Sequence, residues 1–145
     1  STMLMAMESL LGVARWLEAG RAETASQTHS ESRPAATSQF AQQVTAYIHS
    51  HIADDLSAAA LAEHFHVSRE HLSRLMSRAY GVPLHRFVMA QRIAHARRML
   101  ASQPEEPLLN IALEAGFASH AHFSRVFRQI EGISPGAYRD MLAGA

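Results

Sequence analysis

One short pattern occurs twice in this chain, 51 residues apart, once within residues 61–87 and once within residues 111–138. Identical residues occupy the matched polar positions, which are Ser68 and Ser119, His71 and His122, Ser73 and Ser124, and Arg74 and Arg125. The matched apolar positions are Leu72 and Phe123, Leu75 and Val126, Met76 and Phe127, and Ala79 and Ile130. Their spacing of i, i+3, i+4 and i+7 places them on one face of an α-helix. The chain therefore contains two copies of a small helical unit, each with an apolar face and an Arg-bearing face.

Residues that begin and end helices flank both copies. Ser68 and Ser119 stand where a side-chain oxygen caps a helix, and Gly81 and Gly132 stand where a helix ends. Pro83 suits the first turn of a longer helix, because its missing N–H costs little there. The predicted helices span about 38–52, 58–65, 69–80, 83–102, 107–116, 120–131 and 135–142.

This order of helices predicts an all-α fold, since no strand pattern appears in the sequence. A short helix, a tight turn and a second helix form a helix-turn-helix over residues 57–80 and again over residues 107–131. We predict two helix-turn-helix subdomains, each a homeodomain-like trihelical unit. The long connecting helix 83–102 joins them.

Charge is distributed unevenly along the chain, although the formal net charge is zero. Residues 67–102 hold seven Arg and one acid, a net charge of +6, while the segments before and after are net acidic at −4 and −2. A local positive field attracts a polyanion whatever the total charge. Arg also binds phosphate and guanine edges with two parallel hydrogen bonds, and every basic residue here is Arg. The pattern favours nucleic acid as the partner.

Base-reading side chains are predicted on the second helix of each copy, which in a helix-turn-helix lies in the major groove of DNA. The predicted DNA-binding residues are Arg69, Glu70, Ser73, Arg74, His120, Ala121, His122, Ser124 and Arg125. Arg pairs with guanine, Glu accepts from cytosine, and Ala touches the thymine methyl group. The candidate phosphate contacts are Ser68, His71, Arg97, Arg98 and Ser119. The alternatives are an ordinary solvated helix face and a helical protein-interaction module that binds an acidic partner.

Several classes of chemistry are not expected. The chain has no cysteine, which excludes disulfides and Cys-ligated zinc and fits a reducing cytoplasm. The His pairs, such as His64 and His66, are two residues apart, whereas metal ligands on a helix want spacings of three or four. No phosphate loop, nucleophile motif or membrane-spanning apolar run is present. We expect no enzyme activity, no metal, no cofactor and no membrane partner.

The N-terminal part carries weaker signals. Residues 1–18 have apolar residues at spacings of four and three, which predicts a helix from an upstream domain or a dimer contact. Residues 19–37 are rich in Ala, Ser, Thr and Glu without an apolar period, which predicts a flexible linker.

The second copy resembles the signature of the AraC/XylS family of bacterial transcription regulators. The matching residues are Ile111-Ala112, Gly116-Phe117, Ser119, Phe123, Arg125, Phe127, Gly132, Ser134-Pro135 and Tyr138-Arg139. The first copy is similar at Leu61-Ala62, Val67-Ser68, Leu72-Ser73-Arg74 and Gly81-Val82-Pro83. The resemblance implies a seven-helix domain over 38–143 that binds double-stranded DNA, usually C-terminal to an effector or dimerisation domain. It also implies a cytoplasmic, nucleoid-associated activator, with RNA polymerase and a second copy, through the upstream region, as candidate partners.

Overall fold

The computed structural model describes residues 34–144, and side chains from residue 39 onward. Within this range the chain forms helices and no strand, which confirms the predicted all-α class. The helices are α1 (Pro34–Ser50), α2 (Ala58–Phe65), α3 (Arg69–Tyr80), α4 (Leu84–Ser102), α5 (Leu108–Glu114), α6 (His120–Glu131) and α7 (Pro135–Ala143). The helix predicted over 1–18 lies outside the described residues, as does the predicted linker before residue 34.

Three helix starts differ from the sequence prediction. Helix α1 begins at Pro34, four residues before the predicted start at Ser38, so residues 34–37 belong to the helix and not to the linker. Proline is tolerated at the first turn of a helix, where its N–H would have no partner. Pro83 and Pro107 each stand one residue before a helix, at the N-cap position, instead of inside the first turn.

The first trihelical unit consists of α1, α2 and α3, which pack on the N-terminal half of α4. Its core is mostly aliphatic, and its largest fully buried side chains include Ile48, Leu61, Leu72 and Met76. Apolar burial contributes about 25 cal/mol for each Å² removed from water, so this shared cluster holds the short helices together. Neither α2 nor α3 is long enough to be stable alone.

The second trihelical unit consists of α5, α6 and α7, which pack on the C-terminal half of α4. Its core is richer in aromatic residues, with Phe117, Phe123 and Phe127 buried and Tyr138 packed against them. The two cores are separate clusters, and α4 supplies buried residues to both. The predicted arrangement of two units on one connecting helix is therefore the observed one.

Serine caps are present at four helix N-termini, including the two predicted at Ser68 and Ser119. The side-chain oxygens of Ser57, Ser68, Ser119 and Ser134 each accept a hydrogen bond from the backbone N–H three residues later, at 3.0–3.2 Å. Such caps satisfy one of the four N–H groups that a helix start leaves without an internal partner. They fix where α2, α3, α6 and α7 begin.

At one matched position of the repeat the predicted burial is wrong. Ala79 is exposed, whereas its counterpart Ile130 is 1% exposed and lies in the second core. The methyl group of Ala79 is too short to extend the buried face of α3 by a further turn. The apolar face of α3 therefore ends at Met76.

Candidate DNA interface

Helices α3 and α6 are the second helices of the two helix-turn-helix motifs, and we call them the reading helices. Each has 12 residues and buries one face in the core of its own unit. The opposite face is open in both. Because both motifs contribute an exposed face that begins at a capped N-terminus, the two faces are structurally equivalent.

On α3 the structure exposes most of the predicted base-reading residues. Arg69, Glu70 and Arg74 are exposed, and Ser73 is half-buried beside the core residue Leu72. Arg69 and Glu70 lie in the first turn, and Arg74 lies one turn further on. The first turn and a half of α3 thus presents two guanidinium groups and one carboxylate to solvent.

On α6 the predicted residues divide in the same way. His120, Ala121 and Arg125 are exposed, while His122 and Ser124 are half-buried. The imidazole of His122 lies edge-on to the ring of Phe117, with 5.4 Å between ring centres. This contact anchors His122 to the turn before the helix, so its freedom to reach a ligand is smaller than that of His120 or Arg125.

The two cap serines keep a hydrogen available for a ligand. Ser68 accepts from the N–H of His71 at 3.0 Å, and Ser119 accepts from the N–H of His122 at 3.1 Å. Both serines are exposed, and a hydroxyl that accepts one bond retains its own hydrogen to donate. His71 is also exposed. The partly positive helix N-terminus adds to the attraction for an anion.

The two arginines predicted to contact phosphate from α4 lie in different surroundings. Arg98 is exposed. Arg97 is 21% exposed, and its Nε lies 3.4 Å from Oε1 of Glu131, whose side chain is 1% exposed. Arg97 therefore links α4 to the end of α6 inside the protein. Its predicted phosphate contact stays a prediction, and the pair with Glu131 leaves Arg97 less free to reach a ligand than the exposed Arg98.

Arg92 has a structural role that sequence reasoning missed. It lies on α4 and donates hydrogen bonds to two backbone carbonyls in the turn after α1, from Nε to Ile52 at 3.2 Å and from Nη2 to Asp54 at 2.7 Å. Burial lowers the pKa of its guanidinium, and the charge of Asp55 opposes that effect. Nothing in the sequence separates Arg92 from the other arginines of α4, because its partners are backbone atoms 38 and 40 residues away.

No group of three or more His, Cys, Asp or Glu side chains in residues 39–144 is placed to hold a metal ion. Within the described part of the chain, no helix is both long and apolar enough to cross a bilayer.

A family profile described as a helix-turn-helix domain matches residues 61–141, which is more than half of the chain. The chain therefore belongs to this family of AraC-type DNA-binding transcription regulators, and not to an enzyme family. This confirms the predicted AraC/XylS resemblance. It does not favour the alternative of a module for acidic protein partners.

One relative is an uncharacterized HTH-type transcriptional regulator of Staphylococcus aureus (strain COL), 38% identical over 97 residues. That match covers 67% of this chain but only 13% of the relative, so the chain spans a small part of the curated protein. Among solved structures, the C-terminal domain of AraT, a response regulator from Geobacillus stearothermophilus, is 31% identical with a TM-score of 0.67, and the match covers 76% of this chain and 88% of that one. The DNA-binding domain of AdpA, solved with a target DNA, is 25% identical with a TM-score of 0.68 and covers 72% and 93%.

Proposed function

We propose that one copy of residues 38–143 binds a single DNA duplex through both reading helices, each inserted in a major groove. The observation that carries this proposal is that the two reading helices, each with an exposed face, belong to units that pack on opposite halves of α4. That helix has 19 residues, which corresponds to a length of about 28 Å. Consecutive major grooves on one face of B-DNA are about 34 Å apart. The two lengths are compatible when the reading helices lie near the two ends of α4.

The base-reading roles rest on the exposed side chains of the reading helices. Arg74 and Arg125 occupy the same position, one turn into each helix, and we assign each a two-point contact with a guanine. The remaining reading residues differ between the helices, with Arg69 and Glu70 on one and His120 and Ala121 on the other. One protomer should therefore prefer a site without two-fold symmetry. Ser73, His122 and Ser124 are half-buried, so we propose that they contribute less to base reading than the exposed residues do.

The phosphate contacts in this proposal come from the exposed caps and from Arg98. Ser68, His71 and Ser119 lie at the N-termini of the reading helices, where backbone N–H groups and serine hydroxyls can donate to a phosphate. Such contacts position the protein on the duplex and carry no sequence information themselves.

We further propose that the whole protein is a bacterial transcription activator in the cytoplasm, associated with the nucleoid. Support comes from the relatives, which are described as transcription regulators, and from AdpA, which was solved on a target DNA. RNA polymerase and a second copy of the chain, bound through the upstream region, are the protein partners that we propose for it.

The test is selection of duplexes from a random pool, followed by binding measurements on the selected site and on unrelated DNA. Arg74→Ala and Arg125→Ala should each weaken specific binding by about 1–3 kcal/mol and relax the preference at one base position. Arg98→Ala is the matched control, because loss of a phosphate contact weakens all sequences alike and lowers the salt dependence by roughly one unit.

Three results would contradict the proposal. Selection that yields no preferred site would remove sequence-specific binding altogether. A footprint confined to one major-groove segment would reject the use of both reading helices. Equal losses of specific and non-specific binding in folded Arg74→Ala and Arg125→Ala would move both residues to the phosphate contacts.

A further inference from the structure

The two units are joined by little besides α4. Every extensively packed pair of helices lies within one unit or includes α4. Met89, which is only partly buried, packs against both cores. Beside it lies an open cleft of about 600 Å³, lined from the first unit by residues 53–57 and from the second by Leu113 and residues 116–118. Because the two units contact each other so little outside α4, a few specific contacts determine their relative position.

One such contact is made by Arg92, Ile52 and Gly116. Arg92 is fixed to the first unit by its hydrogen bonds to the carbonyls of Ile52 and Asp54. Gly116 belongs to the turn of the second helix-turn-helix. A Cβ atom on Gly116 would lie 2.3 Å from the carbonyl oxygen of Ile52 and 2.6 Å from Nε of Arg92. The backbone of the second unit therefore lies directly against the guanidinium and against the turn after α1.

Hydrogen-bond geometry and burial restrain the Arg92 guanidinium at this contact. The Arg92 fork is planar and donates in fixed directions, so its two hydrogen bonds restrain the guanidinium plane. Its acceptors belong to the backbone after α1, where carbonyls lack partners within the helix. Because the cation is half-buried, a displacement that broke these bonds would leave it poorly solvated. Gly116 can approach so closely only because it has no side chain.

We propose that Arg92 is a positioning residue that sets the relative placement of α3 and α6, and thereby the spacing between the two DNA half-sites that the protein accepts. The inference rests on the proposed use of both reading helices. In this scheme Arg92 touches no DNA. It holds Gly116, which is three residues before the cap of α6, at a fixed position against the first unit.

The first experiment measures geometry without DNA. Since the chain has no cysteine, Arg78→Cys and Arg128→Cys place two spin labels at exposed sites near the C-terminal ends of the reading helices. Double electron–electron resonance should give a narrow distance distribution in the otherwise unchanged chain. Arg92→Met should broaden it, because the hydrogen bonds are lost while most of the side-chain volume is kept. Arg98→Met, an exposed arginine on the same helix, should leave it narrow.

The second experiment measures binding, without the labels, to the selected site and to versions with one base pair added or removed between the half-sites. One base pair rotates a half-site by about 35°, since a turn of DNA holds about 10–10.5 base pairs. Wild-type affinity should fall by about fivefold or more, comparable to the loss of one base contact. In Arg92→Met the affinities for the three sites should lie within about twofold of each other. Arg98→Met, which loses a proposed phosphate contact, should weaken binding to all three sites alike and so keep the wild-type ratio between them. Arg92→Lys, which retains the charge and can donate to one carbonyl, should be intermediate.

Gly116→Ala approaches the same contact from the second unit. Its Cβ cannot share the space with the Ile52 oxygen, so the mean label distance should shift and the preferred spacing should change. If Arg92→Met does not fold, Arg92→Lys and Gly116→Ala provide the test in its place. A narrow, unshifted distance distribution and an unchanged spacing preference in the folded variants would overturn the inference. A wild-type chain that binds no specific site would instead overturn the proposed function, while the label distances would still show whether Arg92 positions the units.

Discussion

The two helix-turn-helix units use the same device to start their reading helices but different residues in the turn before them. Ser68 and Ser119 cap α3 and α6 with hydrogen bonds of 3.0 and 3.1 Å. In the turns, His66 and Gly116 both have positive φ angles, of 58° and 96°. The following N–H groups, of Val67 and Phe117, bond back to the carbonyls of Ala62 and Ala112 at 3.0 and 2.9 Å. The backbone pattern after the first helix is therefore the same in both motifs.

Only one of the two turns has a glycine because only that turn lies against the neighbouring unit. His66 adopts a left-handed conformation at the surface, so the shape of the turn can be achieved with a side chain present. At Gly116 a Cβ atom would meet the carbonyl of Ile52. The glycine of the second turn is thus required by the neighbouring unit as well as by its own φ angle. The second turn also has one residue more, Ala118, so the first helices of the motifs match at an offset of 50 and the reading helices at 51.

The largest expected difference between the units concerns the last apolar position of each reading helix. Ile130→Ala should lower the free energy of unfolding by about 2–5 kcal/mol, because it leaves a cavity in the second core. Ala79→Ser, at the matched position of α3, should change it by only about 0.5 kcal/mol, since Ala79 is exposed. Urea denaturation followed by circular dichroism measures both. Equal losses would mean that the two helices bury their last turns alike.

The serine caps should contribute equally to both units. Ser68→Ala and Ser119→Ala should each cost about 1 kcal/mol of stability, because each leaves a helix-start N–H without its side-chain acceptor. Ser68→Asp and Ser119→Asp keep the cap, so they should restore stability in thermal denaturation while weakening DNA binding through repulsion of phosphate. If the Asp variants bound DNA as well as wild type does, the caps would not lie near the DNA backbone.

Much of the fold was accessible from the sequence because its signals are local. A serine before a helix and an apolar period of i, i+3, i+4 and i+7 act within one or two turns, and they placed α2, α3 and α6 correctly. The predicted burial of Ala79 was wrong because periodicity indicates which residues face the core, not how far each side chain reaches. The contacts of Arg97 and Arg92 could not be predicted, for a different reason. Their partners, Glu131 and the carbonyls of Ile52 and Asp54, are brought to them by the packing of other helices.

The site itself could be predicted only as a set of positions. Sequence pattern indicated which residues of α3 and α6 face away from the core, and most of them are exposed. It did not reveal that the ring of Phe117 restrains His122, because that contact depends on the path of the turn. The geometry between the two reading helices is likewise set by contacts distant in sequence.

A smaller stability effect is expected at the turn of the first unit. His66→Gly should stabilise the protein by about 0.5–1 kcal/mol, since a left-handed conformation costs an ordinary L-residue more than it costs glycine, even after the entropy that glycine loses. His66→Ala, which keeps a Cβ atom, is the control and should not stabilise. The midpoint of urea denaturation measures the difference. No gain from glycine would show that the His66 side chain makes stabilising contacts of its own.

The smallest effect concerns the dependence of stability on pH at the α4 face of the second unit. Burial lowers the pKa of His95, Arg98 lowers it further, and Glu114 partly opposes them. The unfolded chain, in which a His titrates at about pH 6.5, then binds a proton more readily than the folded chain does. The stability is therefore fully present above that pH and falls as the pH decreases towards the lower pKa of the folded state. His95→Asn should reduce the loss of unfolding free energy between pH 7.5 and 5.5, as measured by urea denaturation at both pH values. An identical pH dependence in His95→Asn and wild type would place the titration elsewhere in the molecule.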